Sequence, residues 1–127
     1  MRVLITGSRN WTDRARIADR LFDLALIAEE TSAWWPFVTL VHGDAPGADT
    51  IAKQEGEKLG FLTEPHNYRK FISPTCSPKR APLERNTHMV NLGADLCIAF
   101  WKDNSSGTAD TVNKARAAGI PVEEIHA

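Results

Sequence analysis

Residues 1–13, MRVLITGSRNWTD, decide the fold. Arg2 to Thr6 is β-branched and apolar without polar alternation, the pattern of a strand covered on both faces, as in a parallel sheet. The run breaks at Gly7-Ser8-Arg9, and Thr12 or Asp13 can cap a helix that follows. Strand, small-residue turn and helix start make up a βα unit whose backbone N–H groups can gather around an anion.

The chain downstream repeats this unit. Between about Asp13 and Glu30, Ile17, Leu21, Leu24 and Ala28 recur every three or four residues and predict an amphipathic helix. Trp34, Trp35 and Pro36 end it; the adjacent tryptophans suit either packing against the sheet edge or an oligomer contact, which leaves a homo-oligomer open. Phe37 to His42 reads as a second strand and Ala48 to Leu59 as a helix, with Ile51, Ala52, Glu55 and Leu59 in register and Gly60 closing it. Phe61 to Glu64 is a third, shorter strand. From about Pro65 to Pro82 the chain holds four of its seven prolines and little periodicity, predicting one long irregular connection that acts as a lid or mobile segment. A helix over Leu83 to Leu92, a buried strand over Asp95 to Trp101, a helix over Ala109 to Ala118 and a closing strand over Pro121 to Ile125 complete the pattern. Strict alternation of this kind predicts a three-layer α/β sandwich around a five-stranded parallel sheet, with right-handed crossovers, built as a single domain over 1–127.

Composition narrows the function classes. At 127 residues, 43% hydrophobic and 24% charged, the chain can bury a core of its own. A net charge of −1 and the absence of an aromatic and basic stripe weigh against single-stranded DNA as the partner. Cys76 and Cys97 lack CxxC spacing and read as one loop thiol and one core thiol in a reducing compartment. Met1 runs directly into strand-like sequence and no apolar run reaches the ~20 residues of a membrane span, so a cytoplasmic chain is expected. No metal cluster and no cofactor are expected.

Three loops fall where strands hand over to helices, the edge of a parallel sheet at which ligands lie. In Gly7-Ser8-Arg9, glycine permits close approach, Ser8 can donate its hydroxyl, and Arg9 can pair bidentately with a phosphate. In Gly43-Asp44-Ala45-Pro46-Gly47-Ala48-Asp49, the small residues let a helix start lie against a ligand. Asp44 and Asp49 either accept hydrogen bonds from it or cap the helix. In Asn104-Ser105-Ser106-Gly107-Thr108, small hydroxyl residues around a glycine form an anion-binding nest. Together they point to a phosphate-bearing ligand. His42 reads as a capping or core histidine rather than a base. Trp101 is a better stacking residue than Trp34 or Trp35, with packing its alternative, and the pair Lys79-Arg80 is either solvated or closes over phosphate.

ITGSRNW, HGDAPGAD, RNTHM, IAFWKDNSSGT and GIPV occur in this order, and the chain resembles the SLOG superfamily, named from Smf/DprA and Lonely Guy proteins, in its YspA/YpsA-related branch. The resemblance spans nearly the whole chain. It implies a Rossmann-like fold with a nucleotide-binding cleft at the ends of the first and fourth strands. It assigns Gly7, Ser8 and Arg9 to the first loop, and Gly43, Asp44, Gly47, Ala48 and Asp49 to the second. Arg85 and Asn86 fall to the helix before the fourth strand, and Gly107 and Thr108 to the phosphate loop. Lonely Guy enzymes cleave the N-glycosidic bond of cytokinin nucleotides with a PGGxGTxxE motif; here Ser105 and Ser106 replace the paired glycines and Thr111 stands at the acid position. A hydroxyl cannot act as that carboxylate near neutral pH. The expected function is therefore binding of a nucleotide-derived ligand through Gly7, Ser8, Gly107 and Thr108, with Arg9 and Arg85 neutralising charge, as a sensor or sequestering module. Two alternatives stand beside it: an N-glycosidic hydrolase using Asp44, Asp49 or Asp110, and single-stranded DNA binding.

Overall fold

A computed structural model describes residues 1–31 and 38–127. The expectations for Trp34, Trp35, Pro36 and Phe37 lie outside the described residues. The elements run β1 (Arg2–Gly7), α1 (Arg14–Thr31), β2 (Thr39–His42), α2 (Ala48–Lys58), β3 (Leu62–Pro65), α3 (Ala81–Asn91), β4 (Leu96–Trp101), α4 (Ser106–Ala117) and β5 (Val122–His126). All strand pairs are parallel, in the order β3-β2-β1-β4-β5. The predicted Rossmann-like sandwich is the observed architecture.

The alternation of side chains along each strand sets the two faces of the sheet. Val3 and Ile5 of β1, Leu40 of β2 and Ile98 and Phe100 of β4 join one core with Ile17, Leu21, Leu24 and Ala28 of α1 and Ala48 and Ala52 of α2. Leu4, Val41 and Cys97 point the other way, to Met89 and Val90 of α3 and Ala115 of α4. Continuous apolar strands serve both layers at once, which is why they show no polar alternation. Burial pushes the Cys97 thiol up to about 12, so it packs as a small apolar group.

Local chemistry sets the ends of the helices. The Asp13 carboxylate accepts from the Arg16 N–H at 3.2 Å and caps α1. Trp11, 2% exposed, wedges under the turn, its indole donating to the Asp13 carbonyl and its ring edge-on to Phe100 at 5.6 Å.

The stretch expected to be one irregular connection has structure of its own. It carries a 3-10 helix, Tyr68–Phe71, capped by the Asn67 side chain, then a turn closed between Ser73 and Cys76. α3 then begins at Ala81 with Pro82 in its first turn, where a missing N–H costs nothing. The expected start at Leu83 was two residues late. α4 likewise starts at Ser106, three residues before the expected Ala109, because Ser105 caps it. No helix among the described residues is long and apolar enough to cross a membrane.

Candidate functional site

β1 pairs with β2 on one edge and β4 on the other, so the chain winds away from it in both directions and a crevice opens beyond the ends of β1 and β4. The cleft there measures about 550 Å³, within the range of small-molecule sites. Of the residues singled out in the sequence, Gly7, Ser8, Arg9, Gly43, Asp49, Arg85, Asn86, Ser105, Ser106, Gly107 and Thr108 line it.

The first and fourth loops are stitched into one wall. The Ser8 hydroxyl donates to the Lys102 carbonyl at 2.9 Å and accepts from the Lys102 N–H at 2.8 Å, while the Ser8 N–H donates to the Phe100 carbonyl at 2.9 Å. The Asn10 amide donates to the Asp103 carboxylate at 3.1 Å. The expected donation of the Ser8 hydroxyl to a phosphate is thus corrected, because its proton is already directed at Lys102. Arg9 beside it is exposed and makes no ion pair among the described residues.

The second loop is held from beneath. Asp49, 6% exposed, accepts through Oδ2 from the N–H groups of Gly43 at 3.0 Å and Ala45 at 3.4 Å, whereas its Oδ1 is buried without a partner. Burial raises its carboxyl to about 6, against the pull of those two N–H groups and the Arg85 guanidinium. Asp49 therefore braces the preceding turn rather than capping its own helix. Arg85, 7% exposed, donates to the Gly43 carbonyl at 2.7 Å, the His66 carbonyl at 3.3 Å and the Asn86 side chain at 2.8 Å. It ties α3 to the loops after β2 and β3 as well as lining the cleft.

Glycine serves packing at two of these positions. A Cβ on Gly43 would sit 2.5 Å from the Arg85 guanidinium, and Gly47, at φ +79°, lies against the backbone of Ser8 and Arg9. Gly47 and Ala48 are outside the cleft lining. Gly107 differs: a Cβ there would meet nothing within 4 Å, yet the residue lines the cleft. It opens the α4 N-terminus, where the Ser105 hydroxyl caps the Thr108 N–H at 3.4 Å and pairs with the Thr108 hydroxyl at 2.7 Å.

Several expected roles are not met. Asp110 is held by Lys114 at 2.8 Å and by the Asn86 amide at 3.1 Å and does not line the cleft. Asp44 lies outside the lining, with a left-handed φ of 56° and its carboxylate on Asn67. Neither carboxylate lines this cleft. Thr111, at the acid position of the resemblance, is 1% exposed and bonds back to the Gly107 carbonyl. Trp101 stacks on His126 at 5.5 Å and is absent from the lining, so it packs rather than stacking a ligand. His42 is fully buried, as a core histidine should be: its Nδ1 accepts from the Asp44 N–H at 3.0 Å, and burial holds its pKa down at about 4.

Lys102, Pro82, Leu83 and Met89 also line the cleft and were given no role in the sequence. Lys102 had a signal, a cation one residue beyond an apolar strand at the expected edge. Arg2, Arg14, Arg20, Lys58, Arg80, Lys114 and Arg116 each meet a carboxylate. Arg9, Lys79, Arg85 and Lys102, the four that line the cleft, form no salt bridge among the described residues.

A family model described as YspA, cpYpsA-related SLOG family matches residues 1–67. The chain is 40% identical over 124 residues to the Gene 61 protein of Mycobacterium phage D29, covering 95% of this chain and 93% of that one. Among solved structures, the X-ray structure of TM1055 superposes with a TM-score of 0.58 at 16% identity, covering 95% of this chain and 71% of that chain. At that identity the likeness is one of fold.

Proposed function

The chain belongs to the YspA, cpYpsA-related SLOG family, and from that premise we propose that it binds a nucleotide or nucleotide-derived small molecule in the cleft between β1 and β4, as a sensor or sequestering module. The observation that carries this reading is the convergence of four cations, Arg9, Lys79, Arg85 and Lys102, on one cleft with no salt bridge to any of them among the described residues; Arg16, Lys53, Arg69 and Lys70 are likewise without one but lie outside the cleft. Clustered, unpaired positive charge repels itself and is offset by an anionic ligand. Next to it, the first N–H groups of α4 have no intrahelical partner, and Gly107 leaves room for a phosphate to reach them. The cations sit in a concave site rather than along a stripe, which favours a small molecule over a nucleic-acid strand.

Calorimetry against nucleotides, nucleotide sugars and dinucleotides tests the reading. Binding with micromolar or tighter affinity, weakened about tenfold or more in Arg9→Ala and Lys102→Ala, is expected. Silence of every ligand, or indifference to both substitutions, overturns it.

One observation favours a second reading, N-glycosidic hydrolysis. The Asp49 carboxyl, raised to about 6, is in the range in which a carboxylic acid can exchange protons near neutrality. Release of free base from a nucleoside monophosphate, lost in Asp49→Asn, would establish it; no product above background would remove it.

A further inference from the structure

α1 carries two apolar stripes, and the core uses one of them. Ile17, Leu21, Leu24 and Ala28 pack on the sheet. Ala15, Ala18, Phe22 and Leu26 recur at the same spacing of three and four on another face of the helix, turned away from that core. Phe22 is 53% exposed and Leu26 44%, and Phe22 is the only exposed aromatic side chain among the described residues. A lone exposed apolar residue is ordinary, but two large ones a helical turn apart make a continuous patch. Beside them, Ala18, Phe22 and Leu59 line a groove of about 240 Å³ between α1 and the end of α2.

Beyond the Asp13 cap, the charges of α1 run against its own dipole. The first turn carries Arg14 and Arg16 and no acidic residue, and the last turn carries Glu29 and Glu30 and no basic one. Arg14 is paired with Glu55 at 2.9 Å. Arg16, Asp19, Asp23, Glu29 and Glu30 form no salt bridge among the described residues. Within one chain this order weakens the helix. A second α1 laid antiparallel reverses the effect, because the basic start of each helix then meets the acidic end of the other.

We propose that the outer face of α1 is a self-association surface, on which a second copy of this chain packs its own α1 antiparallel about a two-fold axis near Phe22. The occupant is a second copy because the patch is self-complementary in charge, as an isologous contact requires. With the axis at Phe22, Leu26 of each copy stands opposite Ala18 of the other, a large side chain against a small one. Glu29 stands opposite Ala15, in the turn that holds Arg14 and Arg16. At 18 residues α1 is about 27 Å long, so one helix face flanked by α2 falls short of an obligate interface and corresponds to a micromolar dimer. None of these residues lines the cleft, so the surface and the ligand site are tested separately.

The test is sedimentation equilibrium of the full chain, which is expected to pass from monomer to dimer between about 1 µM and about 1 mM. Phe22→Ser and Leu26→Ser should each weaken the dimer about tenfold. Both side chains are exposed, so the thermal midpoint of the dilute chain should stay where it is. Glu29→Lys combined with Glu30→Lys should also weaken the dimer about tenfold, yet raise the thermal midpoint of the dilute monomer, since the new charges suit the helix dipole. Cross-linking reads the orientation. In a Cys76→Ser background, with Cys97 fully buried, a short bismaleimide should join Ala15→Cys chains to Glu29→Cys chains when the two are mixed, in preference to joining either to itself. A monomer at every concentration, or a dimer indifferent to both serine substitutions, overturns the surface. Preferential self-linking of the Ala15→Cys chain, or a lysine pair that dimerises like the parent, overturns the antiparallel order.

Discussion

Asp49 and His42 flank the same loop and titrate in opposite senses. Asp49 is raised to about 6 in the folded chain and His42 is lowered to about 4, both by burial. Near pH 5 the unfolded chain carries a proton on His42 and none on Asp49; the folded chain reverses both. Stability from the Asp49 proton is complete below its unfolded value of 3.8 and is lost as pH rises through about 6. Stability from neutral His42 is complete above 6.5 and is lost as pH falls through about 4. Across this window the two slopes oppose each other and nearly cancel. Asp49→Asn keeps an oxygen for the Gly43 and Ala45 N–H groups and removes one slope. Its unfolding free energy from urea titration should therefore rise between pH 4.5 and 6.5, by an amount on the order of 2 kcal/mol, where the parent chain changes little. A variant as flat as the parent contradicts this pairing.

Gly107 makes a separate prediction at the same scale. With open space around its absent side chain, Gly107→Ala should stabilise α4 by about 0.5–1 kcal/mol in thermal unfolding, as alanine does in helices. The same methyl would stand where a phosphate approaches, so ligand affinity should drop about tenfold. Gly43→Ala should instead destabilise by about 1–3 kcal/mol, because its methyl would strike the Arg85 guanidinium.

Among elements, α3 is the one whose role the sequence showed least. Its Arg85 was expected to neutralise a ligand's charge, and nothing in the spacing of residues 81–92 reveals that the guanidinium would also hold the Gly43 and His66 carbonyls. Such bonds are long-range and leave no periodic trace. Arg85→Ala should lower stability by about 2–4 kcal/mol, measured by denaturant unfolding, since it strands two carbonyls and removes the charge facing Asp49. Loss of binding in that variant would then report on folding, which is why Arg9 and Lys102 are the better probes. The strands and the buried stripe of α1 were legible because burial on both faces, or every three to four residues, writes itself into the sequence. The starts of α3 and α4 were not, since a proline and a serine act there through caps that hydrophobic periodicity does not register. The early residues of the 3-10 helix were hidden for a related reason: one short turn has no period to detect.

For the molecule as a whole, the formal charge of −1 conceals the distribution that matters. Composition pointed away from a polyanion, and the cations became a local feature only once folding placed residues 9, 79, 85 and 102 around one opening. Affinity for a phosphate-bearing ligand should consequently fall as sodium chloride is raised from about 0.05 to 0.5 M, because added salt screens the attraction of partly exposed charges. An affinity indifferent to salt would mean that the unpaired charges do not face the ligand.

The bond between Ser8 and Lys102 has a consequence for how the chain is made. β1 is synthesised before the other strands of its sheet but lies at the centre of it, and its second neighbour, β4, begins at Leu96. A nascent chain that has completed the β1-β2-β3 half has one side of its central strand still unpaired, with the backbone groups of Ile5 and Thr6 open to any passing strand. Residues 94 positions apart must meet before the loop after β1 takes its shape. The cleft is thus begun by the earliest strand of the sheet and closed only when β4 follows, and during translation β1 depends on how quickly the segment through Lys102 arrives.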